Sequence, residues 1–173
     1  MLPPGVVSVA DLPGDWWVAH TKSQFEKAFA WQIGSVGIGY YLPMIARTTF
    51  SGGRNRHGMY VLFPGYVFMC GDGDVRYRAL MTHKLAQVIP VVDGQKLISE
   101  LTSIERVIRS GLALELYPSA VQGKRRRVMS GPLEGIHGVE MQRENVTRLV
   151  VEVSVLGTGA SVEIDPDLLE AAE

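Results

Sequence analysis

Leu62-Phe63-Pro64-Gly65-Tyr66-Val67-Phe68 is the stretch on which the reading of this chain turns. It is an apolar strand pattern with a break in its middle. Proline removes a backbone donor and fixes φ, and glycine admits left-handed backbone. The run Met59 to Met69 is therefore predicted as an apolar strand pair or one bent strand, interrupted at Pro64-Gly65. Such a break re-aims the aromatics beside it, and exposed aromatics suit a helical partner. Strand alternation gives the competing reading, with Phe63 and Phe68 in a core.

Upstream of this stretch, Ser51-Gly52-Gly53-Arg54-Asn55-Arg56-His57-Gly58 reads as a glycine-rich basic loop. Tyr40 to Phe50, rich in aromatic and β-branched residues, leads into it, with Pro43 at an edge or bulge. The expectation is a β-hairpin with a mobile, charged tip. Ser23-Gln24-Phe25-Glu26 has the form of a capping box, opening a helix with Phe25, Ala28, Phe29, Ile33 and Val36 on one face. Gly34, Gly37 and Gly39 end that helix. Trp16 to His20 reads as a strand, and residues 1–15, with three prolines and two glycines, as a flexible leader.

Downstream, Asp74 to Lys84 is predicted as a short helix and Ala86 to Val92 as a buried strand. Lys96 to Arg109 is predicted as an amphipathic helix with Leu97, Ile98, Leu101, Ile104, Val107 and Ile108 on one side. The order β-α-β-β-α-β over residues 16–111 is that of a ferredoxin-like α/β sandwich. Residues 112–122, with Pro118, read as a linker. In 123–173, short strands at Arg125–Met129, Gly138–Gln142, Arg148–Leu156 and Ser161–Ile164 predict a small β-barrel. The fold class is thus α+β in two domains.

Composition narrows the function. With 46% apolar and 20% charged residues among 173, the chain is of ordinary globular type. A single cysteine, Cys70, excludes an internal disulfide framework and multi-cysteine metal sites; it reads as a buried thiol in a cytoplasmic protein. The uncharged stretch Ala28 to Ala46 holds Gln32, Ser35, three glycines and Pro43, so no membrane span is expected. His20, His57, His83 and His137 lack metal-ligand spacing, and no paired-carboxylate or nucleophile motif is present. Neither an enzyme nor a cofactor is expected. From His20 to Lys84 eight Lys or Arg face three acids, whereas after Arg148 six acids remain and no base. By this balance the front half could face phosphates and the tail could not, while the plain reading, favoured on charge alone, is that both are solvated surfaces.

Two motifs resemble one family. Leu62 to Phe68 is similar to the signature strand of the N-terminal domain of NusG proteins. Ser130-Gly131-Pro132-Leu133-Glu134-Gly135-Ile136-His137-Gly138-Val139 resembles their KOW motif, carried by Gly131, Pro132, Leu133, Gly135, Ile136 and Gly138. Trp16-Trp17, two aromatics opening the first strand, supports both. The resemblance extends from about Asp15 to Asp167. It implies a transcription elongation and antitermination factor whose first domain binds the clamp coiled coil of the largest RNA polymerase subunit and suppresses pausing. It also implies a Src-homology-3-like KOW barrel that recruits a termination factor or a ribosomal protein. The leader, the short linker and the Val153 to Gly159 region resemble specialised, operon-specific RfaH-like members more than the housekeeping form. The alternative from another class is a ribosome-associated KOW-domain RNA-binding protein. A monomer is expected in either case.

The resemblance also assigns residues. It implies polymerase contacts at His20, Phe63 and Tyr66, and an opposite-lobe contact at Arg76, Tyr77 and Arg78, where some specialised members carry a hydroxyl-rich triplet instead. It places non-template DNA at Lys22, Gln24 and Lys27, beside a solvated helix face as the plain reading. Arg54, Arg56 and His57 suit phosphate contact by charge alone, or are an ordinary solvated loop. Lys124-Arg125-Arg126-Arg127 opens a strand, so alternation sends its members to opposite faces. Leu133 and Ile136 are partner contacts or core residues.

Overall fold

The computed structural model describes residues 1–172. It divides into two compact units at Gly94/Gln95. Among the described residues no helix is long and apolar enough to cross a membrane.

The first unit contains β1 (Asp15–Thr21), α1 (Glu26–Ser35), β2 (Gly39–Tyr41), β3 (Met44–Ser51), β4 (Arg54–Val61), β5 (Tyr66–Gly71), α2 (Val75–Leu80) and β6 (Leu85–Pro90). Four strands form a sheet in the order β2-β5-β1-β6, with every neighbouring pair antiparallel. This order is compatible with the expected split-βαβ sandwich. Phe29, Ala30 and Ile33 of α1 and Val75 and Ala79 of α2 share one buried cluster with Ala19, Val67 and Met69. Both helices therefore cover the same sheet face. Burying a side chain such as Phe29 or Ile33 contributes about 1.5–3 kcal/mol.

Several local expectations are corrected. Residues 1–14 are packed, not loose: Val9 and Leu12 are buried, and the terminal ammonium donates to the Leu42 carbonyl. The capping box does not form. Helix α1 starts two residues late with Phe25 as N-cap and no side-chain cap, because Glu26 is drawn to the backbone of Gly65. Phe25 and Val36 of the predicted apolar face are exposed, as is Ala28, leaving Phe29 and Ile33 to anchor the helix. The predicted buried strand is β6, which pairs only with β1 and is half or fully exposed along its length.

The predicted basic loop is mostly strand. Strands β3 and β4 pair from Met44↔Val61 to Ser51↔Arg54, and only Gly52-Gly53 forms the turn. Both glycines have positive φ, 61° and 74°, which a two-residue type I′ turn requires.

The second unit holds α3 (Gly94–Ser110), whose first residue falls at the division, and β7 (Leu114–Tyr117), β8 (Lys124–Val128), β9 (His137–Arg143), β10 (Val146–Val153), β11 (Thr158–Glu163) and β12 (Leu169–Ala171). The strands form one antiparallel sheet in the order β12-β8-β9-β10-β11-β7. Val128, Val139, Leu149, Val151 and Val162 supply its buried side chains. The segment expected as a plain linker contributes β7. Helix α3, expected with the first domain, is tied to this unit: Arg106 donates to the carbonyls of Pro132 and Glu134, and the Glu100 carboxylate accepts from Ser154 N and Oγ.

Candidate functional site

Phe63-Pro64-Gly65-Tyr66 is a tight turn. Tyr66 N donates to Phe63 O (3.2 Å), with Pro64 second and Gly65 third at φ 88°. That is the residue order of a type II turn, whose third position favours glycine. The turn is fixed from two sides. Gly65 N donates to Glu26 Oε1 (2.8 Å), and Gly65 O accepts from Thr21 N (2.8 Å). Glu26, 39 residues earlier and buried, thus holds the turn through a charge-assisted bond.

The turn sends its two aromatics to opposite fates. Phe63 is only 2% exposed, and its ring meets Phe68 edge-on at 6.3 Å. Its expected role as an exposed contact is corrected: it is a core residue, as strand alternation allowed. Phe68 is fully buried, as expected. Tyr66 remains half-exposed as the cross-strand partner of His20, and the two rings stack 4.9 Å apart. Gly65 lies directly beneath: a Cβ there would touch the His20 ring at 3.5 Å.

The β3–β4 arm sorts its side chains by face. Opposed residues of an antiparallel pair share a face. The pairs Arg47↔Gly58, Thr49↔Arg56 and Ser51↔Arg54 therefore set three arginines on one side. The Arg47 guanidinium lies 5.7 Å from the Tyr60 ring centre on that face. His57, grouped with Arg54 and Arg56 by sequence, points to the other face, where its Nδ1 meets Thr48 Oγ1 at 2.8 Å. Phe50 and Met59, both exposed, share that second face.

At the start of α1 the expected nucleic-acid contacts Lys22, Gln24 and Lys27 are all exposed. Two are tethered, with Lys22 Nζ donating to His83 O (2.8 Å) and Lys27 Nζ to Met59 O (3.3 Å). Gln24 sits at φ 64° in the loop before the helix. Glu26 already occupies the first turn, so the helix terminus is matched by a carboxylate and is not an open phosphate seat. Trp31, two turns from the N-cap, is 75% exposed. The apolar-face pattern gave no reason to single it out, although its absence from that face was the available signal.

On α2, Arg76 and Tyr77 point to solvent, while Arg78 is pinned by the Val36 carbonyl and lies 3.9 Å from Asp74. The triplet thus offers two free contacts, not three. A cleft of about 600 Å³ opens at the other end of β5 from Tyr66, lined by Pro13, Gly14, Gly39, Cys70 and Arg78 among others. Burial pushes the Cys70 thiol up to about 11, so it stays protonated at neutral pH.

In the second unit, residues 131–138 form a turn whose Gly131 (φ 88°) and Gly135 (φ 84°) need left-handed backbone. Leu133 and Ile136, 3% and 1% exposed, are core residues, which resolves that alternative. Pro132 stays at the surface. Gly138 is required by packing, since a Cβ would lie 2.7 Å from Val150 O. The basic run on β8 is neutralised within the sheet: Arg125 pairs with Glu152 (3.1 Å), Arg126 with Glu140 (2.6 Å) and Arg127 with Glu170 (3.4 Å).

The geometry gathers stacked rings on a braced turn and cations sorted along a hairpin. A sequence model described as NusG, transcription termination factor nusG, matches residues 14–109, more than half of the chain. The chain belongs to this family of transcription elongation and termination factors, which generally interact with RNA polymerase. No curated protein matches the chain. The family match ends within α3, so it runs past the structural division at Gly94/Gln95.

Proposed function

We propose that this chain is an elongation and antitermination factor that docks the clamp coiled coil of RNA polymerase on the His20–Tyr66 surface and suppresses pausing. The observation that carries this reading is the stacked pair: two aromatic rings half-exposed at the end of the central strands, on a turn held by Glu26. A rigid aromatic platform is the kind of surface on which an apolar helical tip gains affinity at little entropic cost. The mechanism is a shift of populations: holding the clamp closed disfavours paused states, and no bond is made or broken.

Arg76 and Tyr77 on α2 are free to meet a second polymerase element. The arginine face of the arm, with Lys22, Gln24 and Lys27, serves non-template DNA through phosphate contact. We read the second unit as a Src-homology-3-like KOW barrel that recruits a second factor, and the whole as a cytoplasmic, operon-specific paralogue. The ribosome-associated reading is disfavoured by the pairing of Arg125, Arg126 and Arg127 with acids, which leaves β8 little net charge for RNA. The test is binding to polymerase of the same organism, followed by pause-escape kinetics with and without the protein. Binding without any effect on pause lifetime would refute the antipausing part.

A further inference from the structure

Strand β7 occupies an edge that the sheet would otherwise leave open. Strand β11 pairs with β10 along one side and with β7 along the other, through Gly159↔Tyr117, Ala160↔Leu116, Ser161↔Glu115 and Val162↔Leu114. Without β7, the outward N–H and C=O groups of β11 would face water, a ready template for another extended chain.

The attachment of β7 is slight. It is four residues long, it is followed by Pro118, and only Leu114 of its side chains is buried. Its one polar anchor is Glu115, whose carboxylate lies 3.2 Å from Arg143 and 3.8 Å from Arg148. The pair with Arg143 is exposed on both sides and holds weakly.

The seat under Glu115 is built from buried groups. Ser161, 2% exposed, accepts from Arg148 through both its hydroxyl and its carbonyl, each at 3.1 Å. Those bonds fix a guanidinium whose side chain is only 13% exposed and whose remaining reach is toward the carboxylate opposite Ser161. The edge therefore asks for an extended segment with an acid between two apolar residues, as Leu114-Glu115-Leu116 supplies in cis.

We propose that β7 is a displaceable placeholder, and that the β11 edge is an interaction site for an acidic, apolar-flanked strand of a second protein. The recognition is β-augmentation: main-chain bonds give affinity, and the Arg143–Arg148 pair selects the acid. This gives a chemistry to the second-factor reading of the unit. Its test uses the chain's own strand as probe, so it does not depend on that reading or on polymerase binding.

The experiment is amide hydrogen exchange on the full chain, comparing wild type with Glu115→Arg and the milder Glu115→Gln. Exchange at Thr158–Glu163 should rise about five- to tenfold in Glu115→Arg, the loss expected from one surface pair turned repulsive, while β9 and β10 keep their protection. Adding a synthetic peptide of residues 111–119 in trans should restore protection at β11. The same peptide with Gln for Glu115 should do so less well. Unchanged β11 exchange in both variants would overturn the proposal, as would a uniform rise across β9, β10 and β11. So would failure of the peptide to protect the variant.

Discussion

The rings of His20 and Tyr66 stack as cross-strand partners, 4.9 Å apart and inclined by 17°, while Phe63, three residues before Tyr66, is buried against Phe68. One turn thus separates a surface ring from a core one. Tyr66→Ala should leave the fold intact and weaken polymerase binding by about 2 kcal/mol, the scale of an interface hot spot. Phe63→Ala should instead cost about 3–5 kcal/mol of stability, as for other buried phenylalanines. Chemical denaturation and a binding titration on the same samples distinguish the two.

Glu26 should prove a brace for that platform. Glu26→Gln keeps the shape but replaces a charge-assisted acceptor for Gly65 N with a neutral one. The expected loss is about 1 kcal/mol of stability. The ring signals of His20 and Tyr66 should shift with it in an NMR spectrum. A spectrum unchanged at both rings would separate Glu26 from the platform.

The two-faced arm makes a directional prediction. Arg54→Ala and Arg56→Ala should each reduce the salt dependence of single-stranded DNA binding by about 0.7 in slope, one phosphate each. His57→Ala, on the opposite face, should leave the slope unchanged. Trp31 is the exposed tryptophan among three, Trp16 being buried and Trp17 half-buried. Quenching of its emission by an oligonucleotide would place the strand near α1, and Trp31→Phe should abolish the quench.

Cys70 links stability to alkaline pH. Its folded thiol is raised by burial from 9.0 to about 11, so the unfolded chain loses that proton first. The associated stability is fully present below pH 9 and is lost as pH climbs from 9 to about 11, amounting to roughly 2–3 kcal/mol at most. Cys70→Ala should flatten the fall in that window when denaturation midpoints are compared. Native Cys70 should also resist alkylation at neutral pH.

Much of the fold was legible because its signals are local. Trp16 to His20, the break at Pro64-Gly65 and the apolar stripe of Lys96–Arg109 each announce an element through period or punctuation. What escaped depends on distant partners. Ser23 and Glu26 match a capping box, but the carboxylate finds a backbone donor 39 residues away. No local pattern encodes that choice.

The orientation of Phe63 against Tyr66 follows from the turn type, and the split of His57 from Arg54 and Arg56 follows from the register set by Gly52-Gly53. Both were readable in principle once two-residue and Pro-Gly turns are given their geometry. Strand β7 was not, since Leu114–Tyr117 becomes a strand only because β11 offers it an edge.

The most direct test of the account is binding of the full chain to its own organism's RNA polymerase, wild type against Tyr66→Ala, with folding of both checked by circular dichroism. Specific binding by the wild type that falls at least about tenfold in the folded variant is the predicted result. Equal binding by both would contradict the His20–Tyr66 docking surface, and no binding by the folded wild type would contradict the polymerase reading itself.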